Sequence, residues 1–409
     1  MILNKGYVND LINMKTVKII FSFCIILLLI HPVVAQIRTG ADQTSEYLGY
    51  LKGKRIGMVV NPTSRIGDKS SVDSLIALGV NIVKVFGPEH GFRGDVGAGV
   101  KVTDAIDPAT GVKIVSLYGK TNKPTKEMLA DVDLLIFDIQ DIGVRYFTYI
   151  ATMHRVMEAC AEQGKELLIL DRPNPNGYFI DGPILDMAYK SGIGMHPVPI
   201  THGMTVGEYA QMINGEGWLA NGVQCNIKII PVANYSHEME YIPPVNMSPN
   251  INTYQAVLLY PSTCLFEGTV LSEGRGTLFP FTVIGAPELK GKYDFSFTPV
   301  SIPNMSATPI HLNKLCYGLD LRAVDLQKLR ASKQIDLSWL IETYQNYPNQ
   351  KIFFDSKQSK EIVVFDKLAG GPALREAIIA GKSADEIRKS WEPGLATYKE
   401  MRKKYLIYQ

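Results

Sequence analysis

The stretch Val85-Phe86-Gly87-Pro88-Glu89-His90-Gly91-Phe92-Arg93-Gly94 decides how this chain is read. A mostly apolar, β-type run over 82–86 leads into it, and Gly87-Pro88 stops that run abruptly. A carboxylate and an imidazole follow at once. Glycines then permit a tight turn. In an open α/β sheet, ligands bind in the crevice beyond the carboxyl ends of the strands. Glu89 and His90 are therefore expected in such a crevice.

The same pattern recurs. Apolar runs at 56–60, 134–137, 167–170 and 198–200 are short and nearly continuous, as expected for strands buried on both faces. Helical segments separate them. One covers 71–79. Another covers 149–164, with Ile150, Met153, Met157 and Cys160 on one face. A third opens with the capping-box spacing Thr205-Val206-Gly207-Glu208. The alternation predicts an α/β protein with a Rossmann-like, largely parallel sheet. Further along, prolines break up the chain, 227–232 and 257–259 read as strands, and β-type runs follow at 281–284 and 295–302. Helices are expected at 337–344, 371–380 and 383–398. The expected organisation is a Rossmann-like catalytic domain over 36–255 and a smaller α+β domain over 256–409. The active cleft belongs between them, where pockets commonly form.

Residues 1–35 read differently. Lys15 and Lys18 precede an apolar run over 19–30, and Val33-Val34-Ala35 supplies small residues before Gln36. This is the pattern of a cleaved secretory leader, and the run is short for a membrane span. A soluble periplasmic protein starting near Gln36 is expected, without stable membrane insertion; an uncleaved anchor is the alternative. The whole chain carries a formal charge of +2, and the leader's three lysines and one aspartate account for it. A neutral remainder gives no electrostatic footprint for nucleic acid. Cys160, Cys225, Cys264 and Cys316 are scattered in or beside apolar runs, which favours buried thiols over a disulfide framework.

Each strand end is followed by polar groups. Glu89, with Phe86 and Phe92 to limit its solvation, is the leading candidate for a general acid. His90 is a candidate to orient it or a substrate hydroxyl. Asp138 and Asp141 are candidates for a second carboxylate. Asn61, Arg93, Gln140, Arg145, Tyr146, Asp171, Arg172, Asn174 and His202 suit recognition of hydroxyls, an amide or a carboxylate. Any one cluster is also ordinary turn chemistry; together they imply a polar crevice. A later segment, 266–277, brings Glu267, Glu273 and Arg275 among glycines, and reads as a flexible polar loop closing the cleft. No cofactor and no metal are expected. There is no G-x-G-x-x-G after the first strand, no P-loop and no G-x-S-x-G elbow, and the histidines are not paired at metal-site spacing.

Four stretches carry a resemblance. They are Gly87-Pro88-Glu89-His90-Gly91-Phe92-Arg93-Gly94, Phe137-Asp138-Ile139-Gln140-Asp141-Ile142-Gly143 with Arg145-Tyr146-Phe147-Thr148-Tyr149, Leu170-Asp171-Arg172-Pro173-Asn174-Pro175, and Phe266-Glu267-Gly268-Thr269 with Ser272-Glu273-Gly274-Arg275-Gly276-Thr277. With the tail from Trp391 to Leu406, they closely resemble the exo-β-N-acetylmuramidase family of bacterial glycoside hydrolases. The resemblance implies release of N-acetylmuramic acid from the non-reducing end of peptidoglycan-derived MurNAc-GlcNAc saccharides. It also implies that Glu89 matches the family's catalytic glutamate. A glycosidase needs an acid for the leaving oxygen and usually a second carboxylate. The sugar's lactyl carboxylate calls for an arginine, with Arg275, Arg145 and Arg172 as candidates. Two alternatives stay open: an esterase or amidase acting on cell-wall material, and a periplasmic sugar-binding protein without turnover.

Overall fold

The alternating strands assemble into one seven-stranded sheet. In chain order they are β1 (Ile56–Val60), β2 (Ile82–Gly87), β3 (Ala105–Ile106), β4 (Lys113–Ser116), β5 (Leu134–Asp138), β6 (Glu166–Leu170) and β7 (Asn226–Ile230). The spatial order is β3-β4-β2-β1-β5-β6-β7. Every pairing is parallel except that of the short edge strand β3 with β4. The computed structural model describes residues 36–94, 104–355 and 363–408. The expected leader, 1–35, lies outside the described residues. Among those described, no helix is long and apolar enough to cross a membrane.

Side chains alternate across the strands, and two cores follow. Ile56, Met58 and Val60 of β1 join Leu134, Ile136, Leu168 and Leu170 on one face, under Tyr47 and Leu51 of helix Thr44–Leu51 and Val72 and Leu75 of helix Ser71–Ala77. Val59, Leu135, Phe137, Leu167 and Ile169 face the other way. There they meet Met153, Val156, Met157 and Cys160 of helix Tyr149–Glu162, which places the expected apolar stripe against the sheet. This second core continues without a break into the C-terminal half, through Leu259, Phe266, Phe281, Phe365 and Tyr398. The smaller C-terminal domain contributes a three-stranded antiparallel sheet, β8 (Val283–Ala286), β10 (Cys316–Asp320) and β9 (Ser296–Phe297) in that order, and several helices. Its long last helix, Ala384–Lys403, opens on a Ser383–Glu386 capping box. The Thr205–Glu208 capping box is also present. The four cysteines named above are free and buried.

Three expectations fail. Residues 198–200 are not a sheet strand; the edge position belongs to β7, and the 198–200 segment is a buried connection bridged at Thr201 to Val144 and Asp181. Residues 257–259 lie inside helix Tyr254–Thr263, capped by Thr253 on the backbone N–H of Ala256. A short apolar run does not distinguish a buried strand from a buried helix by periodicity. Of 295–302, only Ser296–Phe297 is strand. Strand β4 escapes a sequence reading because Lys113 and Ser116 leave it only two apolar residues.

Candidate active site

The β2 strand ends at Gly87, and the chain turns at once. The N–H of Gly91 donates to the carbonyl of Pro88 at 3.0 Å. His90 takes φ 71° and Gly91 φ 73°. A left-handed histidine is uncommon and is held by its surroundings; here the turn projects Glu89 from the strand end. Two neighbours hold its carboxylate. The Tyr118 hydroxyl donates to Oε1 at 3.0 Å, and the Thr148 hydroxyl lies 3.3 Å from Oε2. Tyr118 arrives because β4 pairs with β2 up to Ser116 and Gly87. Burial, reinforced by the charge of Glu89, pushes the Tyr118 phenol up to about 12, so it remains a donor at neutral pH. Phe86 and Phe92 pack into different faces of the sheet, and neither lines the cavity into which Glu89 projects.

Glu89 and His90 line a cavity of about 700 Å³ that opens between the sheet rim and the C-terminal half. One stripe of helix Tyr149–Glu162 and its preceding residue forms a wall, with Thr148, Tyr149, Thr152 and Arg155 at helical spacing. The C-terminal half adds Asn250, Tyr260, Glu267, Arg275 and Phe281. Tyr146 also lines the cavity, its hydroxyl bonded to the Pro261 carbonyl. Arg275 lies between two acids, 2.7 Å from Glu267 and 2.7 Å from Glu273. The 266–277 segment is largely buried rather than a flexible surface loop, since Phe266, Leu271 and Ser272 are in the interior. Its Glu267 and Arg275 reach the cavity as expected; Glu273 is buried behind them and does not line it.

The other expected residues do not line the cavity. All but Arg93 form a buried polar layer beneath the rim, bonded chiefly to backbone groups and to neighbouring side chains. Asp138 is paired with Arg172, Nε to Oδ1 at 2.7 Å, and both are buried. Asn61 accepts from the backbone and hydroxyl of Thr63. Gln140 donates to the carbonyls of Asp141 and Pro173. Asn174 donates to the carbonyl of Met204. Asp171 accepts from Thr205, Gly207 and Tyr408, tying a helix N-terminus and the chain's end to β6. Arg145 spends its guanidinium on the carbonyls of Pro183, Val198 and Leu368; burial pulls it down to about 10. Arg93 lies on the outside, clamped by Asp107 and Asp73. The residues that sequence reasoning missed are Tyr118, Thr148, Tyr149, Thr152, Arg155 and Asn250. Of these, Thr148 through Arg155 carry a legible signal: polar groups at helical spacing directly after a strand-end motif.

Asp141 and His202 are also buried away from the cavity, 4.0 Å apart. Burial lowers His202 to about 3, so it is neutral at physiological pH and makes no ion pair. Burial raises Asp141 from 3.8 to about 7, against the pull of the Gly143 N–H. Between those values the native state keeps a proton that the unfolded chain has released. Its contribution to stability is therefore lost as pH rises through this window. Asp141→Asn should flatten that part of the profile. Denaturant midpoints at the two ends of the window measure it, and an unchanged slope would discount the assignment.

Comparison with known proteins fits this arrangement. Residues 56–255 match the family model described as exo-beta-N-acetylmuramidase NamZ, N-terminal, and residues 258–408 match the corresponding C-terminal model. The peptidoglycan beta-N-acetylmuramidase NamZ of Bacillus subtilis (strain 168) is 41% identical over 390 residues, 91% of this chain and 92% of that protein. The crystal structure of a DUF1343 family protein from Bacteroides fragilis NCTC 9343 matches with TM-score 0.83 and 45% identity, covering 92% of this chain and 99% of the other. A second DUF1343 protein from that strain matches with TM-score 0.76 and 32% identity, over 91% and 99%. With two family models spanning nearly the whole described chain and a relative of this identity, the chain is a glycosidase and belongs to the exo-beta-N-acetylmuramidase NamZ family.

Proposed function

We propose that this protein removes N-acetylmuramic acid from the non-reducing end of peptidoglycan-derived saccharides, with Glu89 as the proton donor to the glycosidic oxygen. The observation that carries the reading is the placement of Glu89: a carboxyl on the wall of a sugar-sized cavity, gripped by Tyr118 and Thr148, in a chain of muramidase ancestry. The expected partner acids Asp138 and Asp141 are spent in the buried layer. Among the described residues, Glu267 is the other acid on the cavity wall, and it is the candidate for the second carboxylate that glycosidases use. It is ion-paired to Arg275 at 2.7 Å.

Incubation with the disaccharide MurNAc-GlcNAc should release free N-acetylmuramic acid, and a chain whose non-reducing end is N-acetylglucosamine should be left intact. Binding of the disaccharide without turnover would identify a carrier instead. Cleavage of ester or amide bonds alone would identify a different cell-wall hydrolase.

A further inference from the structure

Among the described residues two arginines line the cavity, and they differ in one respect. Arg275 is held between Glu267 and Glu273. Among the described residues Arg155 has no acid ion-paired to it, and burial acts on its guanidinium, pulling it down. A partly buried cation without a counter-charge is costly, and an anion bound in the cavity would offset that cost.

Position supplies the second argument. Thr148, Thr152 and Arg155 follow one another along the stripe that faces the cavity. Thr148 touches the Glu89 carboxylate at the near end. Arg155 lies about 10 Å farther along the axis, at about 1.5 Å per residue. In a helix each Cα–Cβ bond tilts toward the N-terminus, the end at which Thr148 meets Glu89. That separation suits a sugar whose glycosidic oxygen meets Glu89 while a substituent on the far side of the ring meets the guanidinium.

We propose that Arg155 binds the lactyl carboxylate of N-acetylmuramic acid and thereby separates muramides from glucosaminides, which lack that group. The inference rests on the muramidase reading above. It replaces the expectation that Arg145, Arg172 or Arg275 does this: the first two are absent from the cavity wall, and the third is already neutralised.

The test is a cycle between protein and substrate. Wild type, Arg155→Met and Arg155→Lys are assayed on 4-nitrophenyl β-N-acetylmuramide and on the same compound with its lactyl carboxylate converted to a primary amide. Arg155→Met should lower kcat/KM on the acid about 10- to 100-fold, the scale of a charge-assisted hydrogen bond, and change it little on the amide. Wild type should lose a similar factor on going from acid to amide. Arg155→Lys should fall between, because a point charge replaces the fork. Equal losses on both substrates, or none, would overturn the assignment. If wild type turns over neither compound, the muramidase reading fails on its own. Titration calorimetry of free N-acetylmuramic acid and its lactyl amide into wild type and Arg155→Met then decides the arginine: weaker binding of the acid alone supports it, and unchanged binding overturns it.

Discussion

Glu89→Gln should reduce turnover of MurNAc-GlcNAc by about 10²–10⁴-fold, the range of a general acid's contribution. The amide keeps the shape of the side chain. Its oxygen can still accept from Tyr118 or Thr148, the two groups that hold the carboxylate in place. Folding and binding of the saccharide should therefore persist, and the loss should appear in kcat. The leaving group makes the test diagnostic. A natural sugar alkoxide leaves poorly and needs its proton in the transition state, whereas a nitrophenolate needs little help. An acid role predicts a large loss on the disaccharide and a smaller one on 4-nitrophenyl β-N-acetylmuramide. Near-total loss on both would make Glu89 the nucleophile or base. A folded variant with wild-type turnover would move the chemistry to Glu267, the other acid on the cavity wall among the described residues.

Arg172→Met should destabilise the protein by about 3–5 kcal/mol, because it strands a buried carboxylate. Asp138 is fully buried at the end of β5, and burial pushes its carboxyl up against the opposing pull of Arg172. Arg172 in turn donates to Asp138 and to the carbonyl of Arg65. Removing the guanidinium leaves the acid without its partner. Adding Asp138→Leu to Arg172→Met should recover much of the loss, since replacing both charges of a buried pair by apolar groups is often close to neutral. Urea denaturation of the two single variants and the double variant measures the coupling. The folded Arg172→Met protein should keep its KM. A raised KM with unchanged stability would return Arg172 to the substrate.

The contrast between Glu89 and Arg172 shows where a sequence reading works. Both follow a strand end, and both sit in long motifs of the same kind. The turn after Gly87 sends Glu89 outward, with His90 in a left-handed conformation. The segment after Leu170 instead folds inward, because Asp171 is taken up by Thr205, Gly207 and Tyr408. Those partners lie far along the chain. Arg145 is the same case: its partners include the carbonyl of Leu368. Conversely, the helical spacing places Arg155 on the stripe after Thr148 and Thr152, but it does not show that the arginine lacks a neighbouring acid. A lone arginine on a helix is ordinary until the acids that would neutralise it are found elsewhere.

What the sequence by itself determined were the local features: short, doubly buried strands alternating with helices, the Thr205–Glu208 capping box, and a carboxylate placed just beyond a strand that Gly-Pro ends. These depend on side-chain period and turn chemistry within a few residues. Tertiary structure alone decided which polar groups face the cavity and which are consumed in the layer beneath it. That choice depends on hydrogen-bond and charge partners from about thirty to more than two hundred residues away, and a buried polar group is committed to whichever partner the fold brings to it.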